Sequence, residues 1–91
     1  MNDTRRLVIT GRVQGVGFRY WMARTARGLG LSGWVRNRSD GSVEAIVQGA
    51  PAAVAAMIRQ AHSGPPGAQV ANVEVGAAAG DFSGFSTGDT L

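Results

Sequence analysis

Gly33-Trp34-Val35-Arg36-Asn37-Arg38-Ser39-Asp40-Gly41-Ser42-Val43-Glu44-Ala45-Ile46-Val47-Gln48 reads as two strand-like runs joined through an Asp-Gly step. A tight turn between antiparallel strands needs positive φ, which this pair supplies at little steric cost, so the runs are predicted to be hairpin neighbours. Before the hairpin, Phe18, Met22, Ala26 and Leu29 recur at the period of a helix, and Gly28 and Gly30 close it. After the hairpin, Pro51 sits where a second helix begins, Val54, Met57, Ile58 and Ala61 form its apolar face, and His62 stands near its end. Outside the helices lie two more strand-like runs, Arg6 to Gly11 and Val70 to Val75, the latter released by the breaker Ser63-Gly64-Pro65-Pro66-Gly67. Ala77 to Gly80 is a spacer. Phe82 and Phe85 mark a final short strand or an extended tail, weakened by Gly84 and Gly88.

The order β-α-β-β-α-β plus a tail predicts an α+β, ferredoxin-like split βαβ fold: a two-layer sandwich of an antiparallel sheet with two helices on one face. In that topology the first two strands run the same way. The segments that leave them, residues 12–19 and 36–38, therefore meet at one rim of the sheet.

Composition narrows the function. Residues 1–91 make a single domain that buries roughly two-thirds of its unfolded surface. The hydrophobic fraction is 44%, but much of it is alanine, so the large core side chains come from few positions. The lack of cysteine excludes disulfides, thiolate zinc sites and a cysteine nucleophile. The apolar run Leu7-Val8-Ile9 is too short for a signal peptide or a membrane span, so a cytoplasmic location and no membrane contact are expected. All nine basic residues are arginine, and eight of them oppose only Asp3, Asp40 and Glu44 within residues 1–45, a net charge of +5. That field favours an anionic partner, a phosphate-bearing metabolite or a nucleic acid, without choosing between them.

Gln14-Gly15-Val16-Gly17-Phe18-Arg19 lies between the first strand and the first helix. Glycines there let the backbone curl so that successive N–H groups converge, and the helix N-terminus adds about half a positive charge, so an anion is favoured. Arg19 offers a planar fork for two phosphate oxygens. Alone, such a glycine pair is more often turn chemistry and a lone arginine a solvated charge. The segment is not a Walker loop, for the chain contains no lysine.

The full string Gly11-Arg12-Val13-Gln14-Gly15-Val16-Gly17-Phe18-Arg19 resembles, at every fixed position, the Gly-x-Val-Gln-Gly-Val-x-Phe-Arg signature of acylphosphatases. Gly33-Trp34-Val35-Arg36-Asn37, Asp40-Gly41 and Gly64-Pro65-Pro66 extend the likeness from about Leu7 to Val75. The resemblance implies a hydrolase of small-molecule acyl phosphates. It places phosphate binding on the backbone of Gln14, Gly15, Val16, Gly17 and Phe18 and on Arg19. Arg19 and Asn37 become the catalytic residues, with Asn37 holding the attacking water and the substrate itself taking the proton. The motifs do not address oligomeric state, for which a monomer is the default expectation. Where the family's last strand carries an apolar residue, this chain has Thr87, and Phe85 is expected to point inward.

No cofactor or metal is expected, since the carboxylates Asp3, Asp40, Glu44, Glu74, Asp81 and Asp89 show no clustered ligand spacing. His62 suits the C-terminus of the second helix better than catalysis. An RNA-binding module is the first rival, but the first and third strands carry no aromatic on which bases could stack, so no nucleic-acid partner is expected. A domain that recognises acyl phosphates without turning them over is the second rival; because the sequence ends at Leu91, a stand-alone enzyme is expected instead. Trp34 alternates with Val35 and is placed to cover one face of the sheet, and Trp21 to pack under the first helix or flank the site; core packing is the expected role for each.

Overall fold

A computed structural model describes residues 2–90; Met1 and Leu91 lie outside the described residues. The chain runs β1 (Asp3–Arg12), α1 (Phe18–Gly28), β2 (Ser32–Asn37), β3 (Val43–Gly49), α2 (Pro51–Ala61), β4 (Gln69–Ala77) and β5 (Phe85–Thr87), and the strands form one sheet in the order β4-β1-β3-β2-β5.

The predicted hairpin is present. β2 pairs antiparallel with β3 from Ser32 opposite Gln48 to Asn37 opposite Val43. The Arg38 amide donates to the Ser42 carbonyl at 2.8 Å and the Gly41 amide to the Arg38 carbonyl at 3.1 Å, leaving a three-residue loop. Only Gly41 takes positive φ, at 94°; Asp40 acts through its side chain, whose Oδ1 accepts from the amide of Ser42 at 2.9 Å and from its hydroxyl at 2.6 Å. These bonds, the hydroxyl's foremost, hold the Asp40 carboxyl below its ordinary value of 3.8.

Alternation along the strands decides what each face buries. Leu7 and Ile9 of β1, Val35 of β2, and Val43, Ala45 and Val47 of β3 are sealed beneath Phe18, Met22, Ala23 and Ala26 of α1 and Val54, Met57 and Ala61 of α2. Burying each of the larger of these contributes about 1.5–3 kcal/mol. The helix spacing predicted for α1 thus marks its buried stripe. The helix stops at Gly30, whose φ of 73° lets the Leu31 amide reach back to the Ala26 carbonyl at 2.9 Å and its own amide to Arg27 at 3.1 Å, while Gly28 remains in the last turn.

The face without helices is closed by charge and one aromatic ring. Glu44, 5% exposed, accepts from Arg6 Nε at 2.6 Å and Arg36 Nε at 2.9 Å, and the Arg36 guanidinium lies 4.7 Å from the centre of the Trp34 ring. Burial pushes the Glu44 carboxyl up, but the hydrogen bonds from Arg36 and Arg6 and their charges outweigh it, so it titrates below its ordinary 4.5.

The first four strands form the expected antiparallel core, with β1 and β2 both antiparallel to β3 and hence parallel to each other. The tail adds a fifth strand that runs parallel to β2, Gly33 opposite Phe85 and Val35 opposite Thr87, so the sheet is mixed. The physical reason lies in the connection. β4 ends on one edge, and the chain must cross to the other along the rim away from residues 12–19. Gln48 holds that crossing, donating to the Gly80 carbonyl at 2.6 Å and accepting from the Phe82 amide at 3.3 Å. Phe85 turns inward as expected, 5% exposed, while Thr87 is exposed.

Candidate active site

The loop between β1 and α1 meets the end of β2 at one rim, where a cleft of about 370 Å³ opens. Gln14, Gly15, Gly17, Phe18 and Arg19 line it from one side, and Asn37, the last residue of β2, from the other. Of the residues assigned to phosphate binding or catalysis from the sequence, Val16 alone does not line the cleft; its side chain packs against the hydrophobic core. The strand-end argument placed the two segments together correctly.

Gly15 and Gly17 both take left-handed conformations, φ 75° and 77°, and a Cβ at either would meet no other atom within 4 Å. The glycines are therefore required by backbone angle and not by crowding. Gly17 is the N-cap of α1, with no side chain to satisfy the orphan amides of the first turn. The first of the turn's hydrogen bonds runs from the Trp21 amide to the Gly17 carbonyl at 3.0 Å. Among the described residues, no backbone N–H from Gly15 to Arg19 donates to a protein acceptor. A glycine-shaped loop that ends in an uncapped helix and carries a run of unspent donors has the chemistry to receive an anion.

Phe18 anchors this loop from below. Its side chain is 2% exposed and meets Trp21 edge to face at 5.3 Å between ring centres, so Trp21 packs on the core as expected and does not flank the cleft. Gln14 does more than lend its amide. Its side-chain nitrogen donates to the carbonyls of Arg38 at 2.7 Å and Ser42 at 2.9 Å, tying the loop to both ends of the hairpin turn beside Asn37. The sequence reading missed this link, since a side chain bonding two carbonyls of a distant turn leaves no local signature.

Arg19 stands in the first turn of α1, and its Nη1 donates to the Gly88 carbonyl at 2.9 Å. The Gly88 amide in turn donates to Val35 at 2.8 Å, so the segment after β5 is fixed on the sheet edge and Thr87, Gly88 and Asp89 complete the cleft. Arg27 adds two bonds to the Phe85 carbonyl, at 3.1 and 2.7 Å. Asn37 shares a face with Val35, whereas Arg36 and Trp34 project to the opposite face of β2 and do not line the cleft. His62 caps the end of α2, outside the cleft. Among the described residues no three His, Asp or Glu side chains come together, and no helix is long and apolar enough to cross a membrane.

Comparison with known proteins agrees with this geometry. The acylphosphatase family model matches residues 5–87. An acylphosphatase of Thiobacillus denitrificans is 56% identical over 82 residues, covering 90% of this chain and 92% of that protein. The solved structure of an acylphosphatase from Coxiella burnetii superposes with a TM-score of 0.92 at 33% identity, covering 94% of this chain and 92% of that one. T. kodakarensis HypF, of which this chain spans only 12%, contains a segment of the same fold at 27% identity with a TM-score of 0.82, covering 100% of this chain. With the signature loop, the asparagine-bearing strand end and the match over nearly its whole length, this chain belongs to the acylphosphatase family.

Proposed function

We propose that this chain hydrolyses acyl phosphates to a carboxylate and inorganic phosphate, with the backbone of Gln14 to Phe18 and the Arg19 guanidinium holding the phosphoryl group and Asn37 holding the water. The observation that carries this reading is the run of unspent amides from Gly15 to Arg19 at the uncapped start of α1, opposite Asn37 across the cleft.

An acyl phosphate is a mixed anhydride with a good carboxylate leaving group, so strong protonation of that group is unnecessary. What the reaction needs is stabilisation of charge on the equatorial phosphoryl oxygens and a water placed in line behind phosphorus. The amides and Arg19 supply the first. The Asn37 carboxamide, at the end of a paired strand and therefore rigidly placed, supplies the second. The bond from the water oxygen to phosphorus forms as the bond from phosphorus to the acyl oxygen breaks, and the carboxylate leaves with that electron pair. No His, Asp or Glu stands among Gln14 to Arg19 or at Asn37, and the one carboxylate lining the cleft, Asp89, belongs to neither motif; we assign the water proton to a phosphoryl oxygen of the substrate.

A second reading is capture of an acyl phosphate without turnover by a domain of this fold set within a larger protein, as the matching segment of the much longer HypF is. A single turnover in ¹⁸O-labelled water separates the possibilities. Label in the released phosphate is the expected result. Label in the carboxylate would mean attack at carbon and would remove Asn37 from its role, and no release of either product would favour capture.

A further inference from the structure

The cleft is larger than its phosphate cradle needs. Water occupies about 30 Å³ per molecule in the liquid, so a volume of about 370 Å³ corresponds to on the order of ten waters, well beyond a phosphoryl group and one nucleophile. The remaining space must take the acyl end of the substrate. In-line displacement fixes the side on which it lies: if water sits on Asn37, the leaving oxygen and the acyl group attached to it point away from Asn37. The wall away from Asn37 is the first turn of α1, and there, next to Arg19, one aromatic side chain lines the cleft without serving the core, Tyr20.

Tyr20 is 69% exposed, the most exposed large hydrophobic side chain among the described residues. Exposure alone would be unremarked, since scattered apolar surface residues are normal. Its position is what distinguishes it: the ring follows Arg19 directly and lines the cleft. Arg24, one turn further along the helix, places its guanidinium 5.7 Å from the ring centre and braces it. A braced, solvent-facing aromatic ring beside a phosphate site suits a planar, apolar acyl group, which it can contact by stacked or edge-to-face packing.

We infer that Tyr20 is a specificity-determining residue, whose ring receives the acyl moiety and favours aromatic over small aliphatic acyl phosphates. This rests on the hydrolytic reading of the same site. The test compares kcat/KM for benzoyl phosphate and acetyl phosphate in the wild type, Tyr20→Ala and Tyr20→Phe. Because the intrinsic reactivity of each substrate is common to all three proteins, the change in the benzoyl-to-acetyl ratio isolates the ring. The ratio should fall about tenfold in Tyr20→Ala and stay near the wild-type value in Tyr20→Phe. An unchanged ratio in Tyr20→Ala, or an equal loss in both variants, would overturn the inference while leaving the hydrolytic reading intact. Failure of the wild type to hydrolyse either substrate would overturn both.

Discussion

Replacing Gln14 with Ala removes two hydrogen bonds that join the cradle loop to the hairpin, those to the carbonyls of Arg38 at 2.7 Å and Ser42 at 2.9 Å. Each such bond contributes about 0.5–1.5 kcal/mol net, and because Gln14 is only half-buried the freed carbonyls regain water, so the loss should total about 1–2 kcal/mol. In a domain of this size that lowers the melting temperature by roughly 5–15 °C. The catalytic loss should exceed what stability alone explains. The loop carries the phosphate donors and the hairpin carries Asn37, so the tie sets the distance between the phosphoryl group and its water, and a misplacement of about 1 Å can cost on the order of 10² in rate. Thermal melts and kcat for benzoyl phosphate at 25 °C, well below the transition, measure the two effects separately. A melting temperature lowered as stated with unchanged kcat would show that Gln14 holds the fold and not the site. An unchanged melting temperature would show that the two bonds contribute nothing.

Arg19→Lys keeps the charge but loses the planar fork and the bond to the Gly88 carbonyl; kcat should fall and KM for benzoyl phosphate rise, and full activity would reduce Arg19 to a point charge. Glu44 titrates below its ordinary 4.5 in the folded chain, so its contribution to stability is complete above that value and is lost as pH falls through the lowered one. Urea unfolding from pH 7 to pH 3 should therefore show an acid loss that Glu44→Gln reduces; an identical loss in the variant would assign it to other carboxylates. Asp89 lines the cleft and repels a dianionic ligand by about 0.4 kcal/mol per charge pair at a separation on the order of 10 Å in water, so Asp89→Asn should lower KM roughly two- to fourfold at low ionic strength and less at high. A KM independent of both the substitution and salt would place that carboxylate away from the phosphate.

How much of this was legible in the sequence varies with the range of the interactions. The hairpin and both helices declared themselves, because Asp40-Gly41, the stripe Phe18, Met22 and Ala26, and the Pro51 start each act over one or two turns of chain. The meeting of Gln14 to Arg19 with Asn37 followed from topology once those elements were ordered. What stayed hidden depends on contacts made across the fold. β5 is three residues long and flanked by glycine, so neither its pairing with β2 nor its parallel sense has a local pattern. The hold of the Gly88 carbonyl on Arg19 spans 69 residues, and the two bonds of Gln14 span 24 and 28. Val16 belongs to the signature yet faces the core, since a motif fixes residue types without saying which of them serve through a side chain and which through the backbone.

The central claim is that Arg19 and Asn37, with the loop amides between Gln14 and Phe18, hydrolyse acyl phosphates without a metal. The most direct test is release of phosphate from benzoyl phosphate by the wild type, Arg19→Ala and Asn37→Ala, each shown folded and each assayed with and without a metal chelator. The account predicts chelator-resistant turnover in the wild type, a loss of about 10²–10³-fold in Asn37→Ala from removal of one preorganised donor, and at least as large a loss in Arg19→Ala. Near-normal turnover in either variant, or wild-type activity abolished by the chelator, would contradict it.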